Sequence, residues 1–277
     1  MIFHILTENK AKKRGILAEH GLSVFIESES NNILFDCGQS VVFVKNAGTM
    51  EVNLAKTDYI VLSHGHYDHC GGLEFFPEID KFPKILIRES ALKKKLAVNP
   101  DGKTYREIGI PWSADKNKYK NIHDNIIFSK SMTQIADNIH LIGEIPSTAI
   151  FEDVPKGFYI ENNGKLTSDM MDDEQMLIYE TAKGLVIFLG CSHPGIINCL
   201  KYTQKQFPGK KIDTVLAGMH LENTQPLRLQ MTIQYIMDID IKHIYPLHCT
   251  GIIAIAEMKK FLGNRCQILC AGDSVEI

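Results

Sequence analysis

Four side chains that bind metal ions well lie within six residues of one another. The run His64-Gly65-His66-Tyr67-Asp68-His69 follows an apolar stretch that predicts a strand. His64 and His66 are two residues apart, so in an extended chain their imidazoles point to the same side and can share one cation. Asp68 and His69 follow a bend and can face a second cation. Packed together without a cation, these groups would suffer desolvation and mutual repulsion.

This run resembles the HxHxDH signature of the metallo-β-lactamase superfamily. Asp36, in Phe35-Asp36-Cys37-Gly38, is similar to the superfamily's upstream aspartate, which supports a ligand histidine through a hydrogen bond. His248, in His248-Cys249-Thr250-Gly251, resembles its last ligand histidine. The resemblance implies the α/β class, as an αββα sandwich with two mixed sheets flanked by helices, and a metal-dependent enzyme of the hydrolase type.

Shorter motifs along nearly the whole chain resemble a subgroup, the 7,8-dihydropterin-6-methyl-4-(β-D-ribofuranosyl)aminobenzene 5′-phosphate synthases. These motifs are Glu19-His20-Gly21-Leu22-Ser23, Gly143-Glu144-Ile145-Pro146, Asp172-Asp173-Glu174-Gln175, Gly190-Cys191-Ser192-His193, Gly218-Met219-His220-Leu221 and His248-Cys249-Thr250-Gly251. The subgroup implies an anionic, phosphorylated small molecule as substrate, with Glu19 and His20 lining its site. We expect His220, which follows a predicted strand, to contact the substrate as well.

The chain departs from the superfamily pattern at the middle ligands. Many members have a histidine before a β-hairpin and an aspartate after it, whereas this chain has Asp172-Asp173-Glu174-Gln175 before the hairpin and Gly190-Cys191-Ser192-His193 after it. We predict His193 as a ligand, because it lies at a strand end and a neutral imidazole suits transition metals. Cys191 as a thiolate, and Asp172 or Asp173 as a carboxylate, remain alternatives.

The resemblance implies two divalent cations, zinc first, with manganese or iron as alternatives. His64, His66 and His193 would hold one cation, and Asp68, His69 and His248 the other. Asp36 would orient a ligand and Asp68 would also receive a proton during turnover, so both are assigned to catalysis. The start of the predicted helix at Pro194-Gly195-Ile196 offers backbone N–H groups to a phosphate. Iron-dependent oxygen or sulfur redox chemistry and a non-catalytic metal-binding module are the competing hypotheses.

Composition argues against other classes of partner. The net charge is −3 and the one compact basic run is Lys93-Lys94-Lys95, which we predict to be a solvated helix face, so a nucleic-acid partner is not expected. No apolar run is long enough to span a membrane, and the first residues lack the pattern of a signal peptide. Seven cysteines without a CxxC pair predict reduced thiols in the cytoplasm.

The elements that must position these residues follow from hydrophobic periodicity. Short β-rich runs dominate up to Leu189, and alternating helices and strands follow it, ending in a predicted strand at Gln267–Cys270. This order predicts one domain over residues 1–277, with sheets covered by helices. The weakly periodic segment 76–137 is predicted as an insertion or lid, with a homo-oligomer contact or a plain surface excursion as alternatives.

Overall fold

The computed structural model describes residues 1–277, which divide into two compact units built from interleaved chain segments. Unit 1 comprises Met1–Ser129, Lys156–Asp173 and Cys270–Ile277, and unit 2 comprises Lys130–Pro155 and Glu174–Leu269. The chain passes from one unit to the other several times, so the division does not fall at a single linker.

Both units are built from short strands with a few helices. The strands of unit 1 are β1 Ile2–Thr7, β2 Ser23–Glu27, β3 Asn32–Phe35, β4 Tyr59–Val61, β5 Lys84–Ile87, β6 Lys94–Val98, β7 Tyr105–Glu107, β8 Ile126–Phe128, β11 Phe158–Asn162, β12 Lys165–Ser168 and β17 Ser274–Glu276. Those of unit 2 are β9 Met132–Ala136, β10 Ile139–Gly143, β13 Gln175–Thr181, β14 Gly184–Leu189, β15 Ile212–Gly218 and β16 His243–Leu247. The helices are α1 Val42–Thr49, α2 Tyr67–Cys70 and α3 Lys120–His123 in unit 1, and α4 Ile196–Gln206, α5 Pro226–Asp238 and α6 Ile252–Leu262 in unit 2. None of them is long and apolar enough to cross a membrane.

Unit 1 contains a seven-stranded mixed sheet of order β17-β1-β2-β3-β4-β5-β8 and a four-stranded antiparallel sheet of order β12-β11-β6-β7. Strands β3, β4, β5 and β8 run parallel, and Phe35 of β3 is paired with Val61 of β4. The residues that follow these two strands therefore leave the sheet at the same edge.

Unit 2 contains a six-stranded mixed sheet of order β16-β15-β14-β13-β10-β9. Strands β14, β15 and β16 run parallel, with Leu189 paired to Ala217 and Ala217 to Pro246. Residues 185–189 are apolar without interruption and all buried, as expected for a strand covered on both faces. The predicted α/β class, with two mixed sheets and helices, is confirmed; the third, antiparallel sheet was not predicted.

Three predictions from the sequence need correction. Residues 267–270 are not a strand, and the last strand is Ser274–Glu276, which pairs with β1. Lys94 and Lys95 belong to strand β6 rather than to a helix, and Lys95 is fully buried because it pairs with two carboxylates. The segment 76–137 supplies β5 and β8 to the seven-stranded sheet, so these strands are integral to unit 1.

Candidate metal centre

The loop after β4 places two histidine rings against each other in unit 1. His64 and His66 lie between the end of β4 at Val61 and the start of α2 at Tyr67. His64 Nε2 and His66 Nδ1 are 3.0 Å apart, and both residues are buried. Two nitrogens bound to one tetrahedral zinc ion at about 2.0–2.1 Å lie about 3.3 Å apart. The pair therefore fits one shared divalent cation with only a small movement of the rings.

Asp36 fixes the orientation of the first of these rings through a serine. The backbone N–H of Ser63 donates to Asp36 Oδ1 and its hydroxyl donates to Asp36 Oδ2, both at 2.7 Å. Since that hydroxyl proton points at Asp36, Ser63 Oγ accepts from His64 Nδ1, which lies 2.8 Å away. The lone pair of His64 is then on Nε2, the nitrogen that faces His66.

The same carboxylate orients a second histidine. Asp36 Oδ2 lies 2.6 Å from His69 Nδ1, and both side chains are fully buried. Burial raises the pKa of Asp36, while the contacts with His69 and Ser63 act in the opposite direction. A carboxylate at Nδ1 leaves the lone pair on Nε2, which is how metal-binding histidines are usually held. One aspartate thus orients both His64 and His69.

Asp68 lies between two imidazoles. Its Oδ2 is 3.8 Å from His69 Nε2 and 3.2 Å from His20 Nε2. The His20 side chain is 55% exposed, whereas Asp68 is buried. Asp68 and His69 therefore present an oxygen and a nitrogen to the same space, and His20 connects that carboxylate with solvent.

Asp173, one of the alternative ligands, already has partners within the chain. Asp173 Oδ2 accepts the backbone N–H of Gly65 at 2.7 Å, and Lys95 Nζ contacts Asp173 Oδ1 at 3.0 Å and Asp169 Oδ2 at 2.5 Å. The ammonium group already supplies the positive charge at this acidic cluster, and both oxygens of Asp173 have partners. Asp173 therefore positions the loop between His64 and His66, while Asp172 is exposed.

In unit 2, the ends of three neighbouring parallel strands carry the downstream candidates. His193 follows β14, His220 follows β15 and His248 follows β16. Two of them, His220 and His248, have positive φ angles of 46° and 48°, as does Ser192 at 53°. A non-glycine residue in this region costs on the order of 1–3 kcal/mol, and such residues concentrate at functional sites. The His193 and His220 rings are 5.0 Å apart.

Glu174, for which the sequence predicted no role, orients His193 as Asp36 orients His69. Its carboxylate lies 2.8 Å from His193 Nδ1 and accepts the backbone N–H of Ser192 at 2.9 Å. Glu174 is 1% exposed. The signal that could have identified it is its place in the Asp172-Asp173-Glu174-Gln175 motif, directly before β13.

Cys191 and Cys249 lie beside the same histidines. The ligand atoms of Cys191, His248 and Cys249 are all within 4.8 Å of one another, and all three residues are buried. Burial alone would raise the pKa of Cys249, but hydrogen bonds with Cys191 and His220 and the charge of His248 hold that pKa well below its usual range. Burial lowers the pKa of His220, whereas its contact with Cys249 raises it, and the net direction is upward.

The helix start proposed from the sequence as a phosphate site is occupied by a side chain of the chain itself. The backbone N–H groups of Ile197 and Asn198 donate to Glu152 at 3.0 and 2.8 Å. Gly195 has φ +104°, and a Cβ atom there would lie 2.3 Å from Glu152 Oε2. That hypothesis was wrong, because a buried carboxylate already satisfies these donors.

Glu19 holds a turn. Its Oε1 accepts the backbone N–H groups of Gln39 and Ser40 at 3.1 and 3.3 Å, and its Oε2 accepts the Ser40 hydroxyl. These contacts support the chain just after Asp36. Three of the remaining histidines have structural partners: His4 contacts Glu27 at 2.9 Å, His123 the Trp112 carbonyl oxygen at 3.2 Å, and His140 Glu180 at 2.8 Å.

Comparison with known proteins gives one family. The model of the metallo-beta-lactamase superfamily matches residues 17–127. The chain is 34% identical over 257 residues to the uncharacterized protein MJ0448 of Methanocaldococcus jannaschii, a match that covers 92% of this chain and 93% of that protein. It is 33% identical over 248 residues to the 7,8-dihydropterin-6-methyl-4-(beta-D-ribofuranosyl)-aminobenzene-5'-phosphate synthase of the same organism, covering 86% of this chain and 83% of the synthase.

Solved structures agree with these matches. Tm1679, a metal-dependent hydrolase of the beta-lactamase superfamily, superposes with a TM-score of 0.84 and 29% identity over 100% of this chain and 99% of its own. A diphosphatase from the PhnP family superposes with a TM-score of 0.54 at 14% identity over 100% of this chain and 97% of its own, which shows a shared fold alone.

Proposed function

Because the chain belongs to the metallo-β-lactamase superfamily, we propose that it is a metal-dependent enzyme that acts on an anionic, phosphorylated small molecule. The observation that carries the proposal is the arrangement of His64 and His69 around Asp36, with His66 Nδ1 3.0 Å from His64 Nε2. A single buried carboxylate, directly and through Ser63, leaves lone pairs on inward-facing imidazole nitrogens. Such preparation of ligands is expected for a metal centre.

We assign His64, His66 and His193 to one cation and Asp68, His69 and His248 to a second, following the resemblance of these positions to the superfamily's ligands. Bound divalent cations would polarise a substrate oxygen and make water more acidic. Asp68 can accept a proton, and the partly exposed His20, 3.2 Å from Asp68 Oδ2, can transfer it to solvent. His20 is therefore proposed as a proton relay in addition to lining the site.

Arg228 supports an anionic substrate. It lies in the first turn of α5, and its Nε and Nη2 atoms are buried without a hydrogen-bond partner. Burial raises the pKa of Glu152, and the charge of Arg228 acts against that rise. Burial lowers the pKa of His220 and Arg228 lowers it further, but the contact with Cys249 makes the net shift upward. Two unpartnered guanidinium donors cost roughly 1–3 kcal/mol each, and two oxygens of one phosphate group would satisfy both. Arg228→Gln should raise KM for a phosphorylated substrate far more than it lowers kcat.

The reaction is proposed as one of two that the same residues can support. The synthase relative suggests condensation of a pterin with an arylamine ribosyl phosphate, and the hydrolase Tm1679 suggests attack by water. Both need a polarised substrate oxygen and a proton acceptor, which the proposed cations and Asp68 would supply.

The proposal is tested by comparing metal content and turnover. Protein purified under reducing conditions is assayed for the pterin condensation and against a panel of phosphoesters, before and after chelation and with zinc, manganese or iron restored. We expect activity in one assay that chelation abolishes and His66→Ala removes to background. His4→Gln is the control, since His4 pairs only with residues of its own sheet edge. Full turnover of metal-free protein would overturn the proposal.

A further inference from the structure

Two cysteine sulfurs lie at the strand ends of unit 2. They are candidate metal-binding atoms that were not assigned to a cation above. We propose that Cys249, together with Cys191 and His248, binds a thiophilic divalent cation such as zinc through its thiolate. This inference rests on the proposed metal centre and names the chemistry of its unit 2 side.

Geometry is the first argument. The three ligand atoms lie within 4.8 Å of one another in a buried cluster. Two sulfurs on one tetrahedral zinc at about 2.3 Å are about 3.8 Å apart, so closure around a cation needs shifts on the order of 1 Å or less.

The backbone around Cys249 is the second argument. A glycine and a strained residue are needed to bring Cys249 Sγ close to the neighbouring strand ends. Gly218, at the end of β15, has no room for a side chain: a Cβ atom there would lie 2.9 Å from Cys249 Sγ and 2.5 Å from the Gly190 carbonyl oxygen. His248, immediately before Cys249, has φ 48°. The chain therefore holds Cys249 Sγ close to the ends of β14 and β15, beside Cys191.

The consequence concerns which metal is selected. Thiolate ligands favour zinc, iron and other soft or borderline cations over magnesium and manganese. A site with two thiolates should therefore retain zinc in the presence of a large excess of manganese, whereas an all-nitrogen and oxygen site would discriminate less.

The test uses cobalt as a spectroscopic substitute for zinc. Metal-free, reduced protein is titrated with Co²⁺, and the near-ultraviolet charge-transfer band from thiolate to cobalt is measured. We expect the band in the wild type, about half of its intensity in Cys249→Ser and in Cys191→Ser, and its loss in the double variant. Cys266→Ser, a buried cysteine elsewhere in unit 2, is the control and should keep the full band.

The outcomes separate this inference from the proposed function. Cobalt bound with its visible ligand-field bands but without the thiolate band would overturn the inference and leave the metal enzyme standing. No cobalt bound at all would overturn both. Should the variants fail to fold, X-ray absorption of the wild-type zinc protein decides: a zinc–sulfur distance of about 2.3 Å supports the inference, and only nitrogen and oxygen neighbours at about 2.0–2.2 Å refute it.

Discussion

Units 1 and 2 hold their candidate donors in different ways. In unit 1 the donors are neighbours in sequence, in one loop that buried charges anchor: Asp36 from one side and Asp173, neutralised by Lys95, from the other. In unit 2 the donors follow three separate parallel strands, and one carboxylate, Glu174, supports His193. A local motif needs charged supports to shape its loop, whereas donors at adjacent strand ends are brought together by the sheet itself.

Replacement of the buried Lys95 should cause the largest loss of stability in this comparison. Lys95→Met leaves Asp169 and Asp173 buried without their counter-charge, which should cost about 3–5 kcal/mol in the free energy of unfolding. Lys94→Met is the matched control, because Lys94 is half exposed and solvent screens its pair with Glu161, so its loss should change stability little. Denaturant titration measures both; equal losses would show that the Lys95 network does not anchor the loop.

Alanine substitution of one glycine in each unit tests whether the candidate donors of the two units depend equally on close packing of the backbone. A Cβ atom at Gly65 would lie 2.1 Å from the Ala91 carbonyl oxygen, and one at Gly218 would lie 2.5 Å from that of Gly190. Each alanine variant should lose about 1–3 kcal/mol of stability, with Gly65→Ala the larger. Gly48→Ala, in helix α1 with nothing within 4 Å, should be neutral or stabilising by up to about 1 kcal/mol. A thermally unchanged Gly65→Ala would contradict the packing described for unit 1.

The two carboxylate supports can be compared directly. Asp36→Asn and Glu174→Gln keep size but remove the charge that holds His69 and His193. Each should weaken zinc affinity about 10–100-fold, measured by competition with a chromophoric chelator. We expect the larger loss for Asp36, since it also orients His64 through Ser63. Equal losses would mean that the serine contact contributes nothing.

The dependence of unfolding free energy on acid pH should show the smallest of these effects. Burial alone raises the pKa of Asp173, but Lys95, His66 and the Gly65 N–H outweigh it and hold the pKa below its usual value. A carboxyl group with a lowered folded-state pKa contributes stability above its unfolded-state pKa of about 3.9 and loses it as the pH falls through the folded value. Chelated wild-type protein should therefore lose unfolding free energy below about pH 4, more steeply than Asp173→Asn. Parallel profiles for the two would contradict the pairing.

Much of the site could be predicted because its central motif is local. The HxHxDH run names four donors by spacing alone, and the family resemblance drawn from it is confirmed by the matches over most of the chain. The alternating helices and strands predicted after Leu189 also agree with the structure in α4 to α6, β15 and β16, since strong apolar periodicity specifies an element whatever it packs against. The third, antiparallel sheet and the pairing of the last strand with β1 involve distant partners, which periodicity cannot identify.

The amino-acid sequence by itself determined which groups can bind a cation in unit 1, because neighbouring residues share one loop. Only the tertiary structure decided that Glu174 supports His193, that Lys95 and Asp173 form a buried pair, and that Glu152 closes the start of α4. Each of these contacts joins residues far apart in the chain, and a side chain's role as ligand, support or counter-charge depends on the group that folding places beside it.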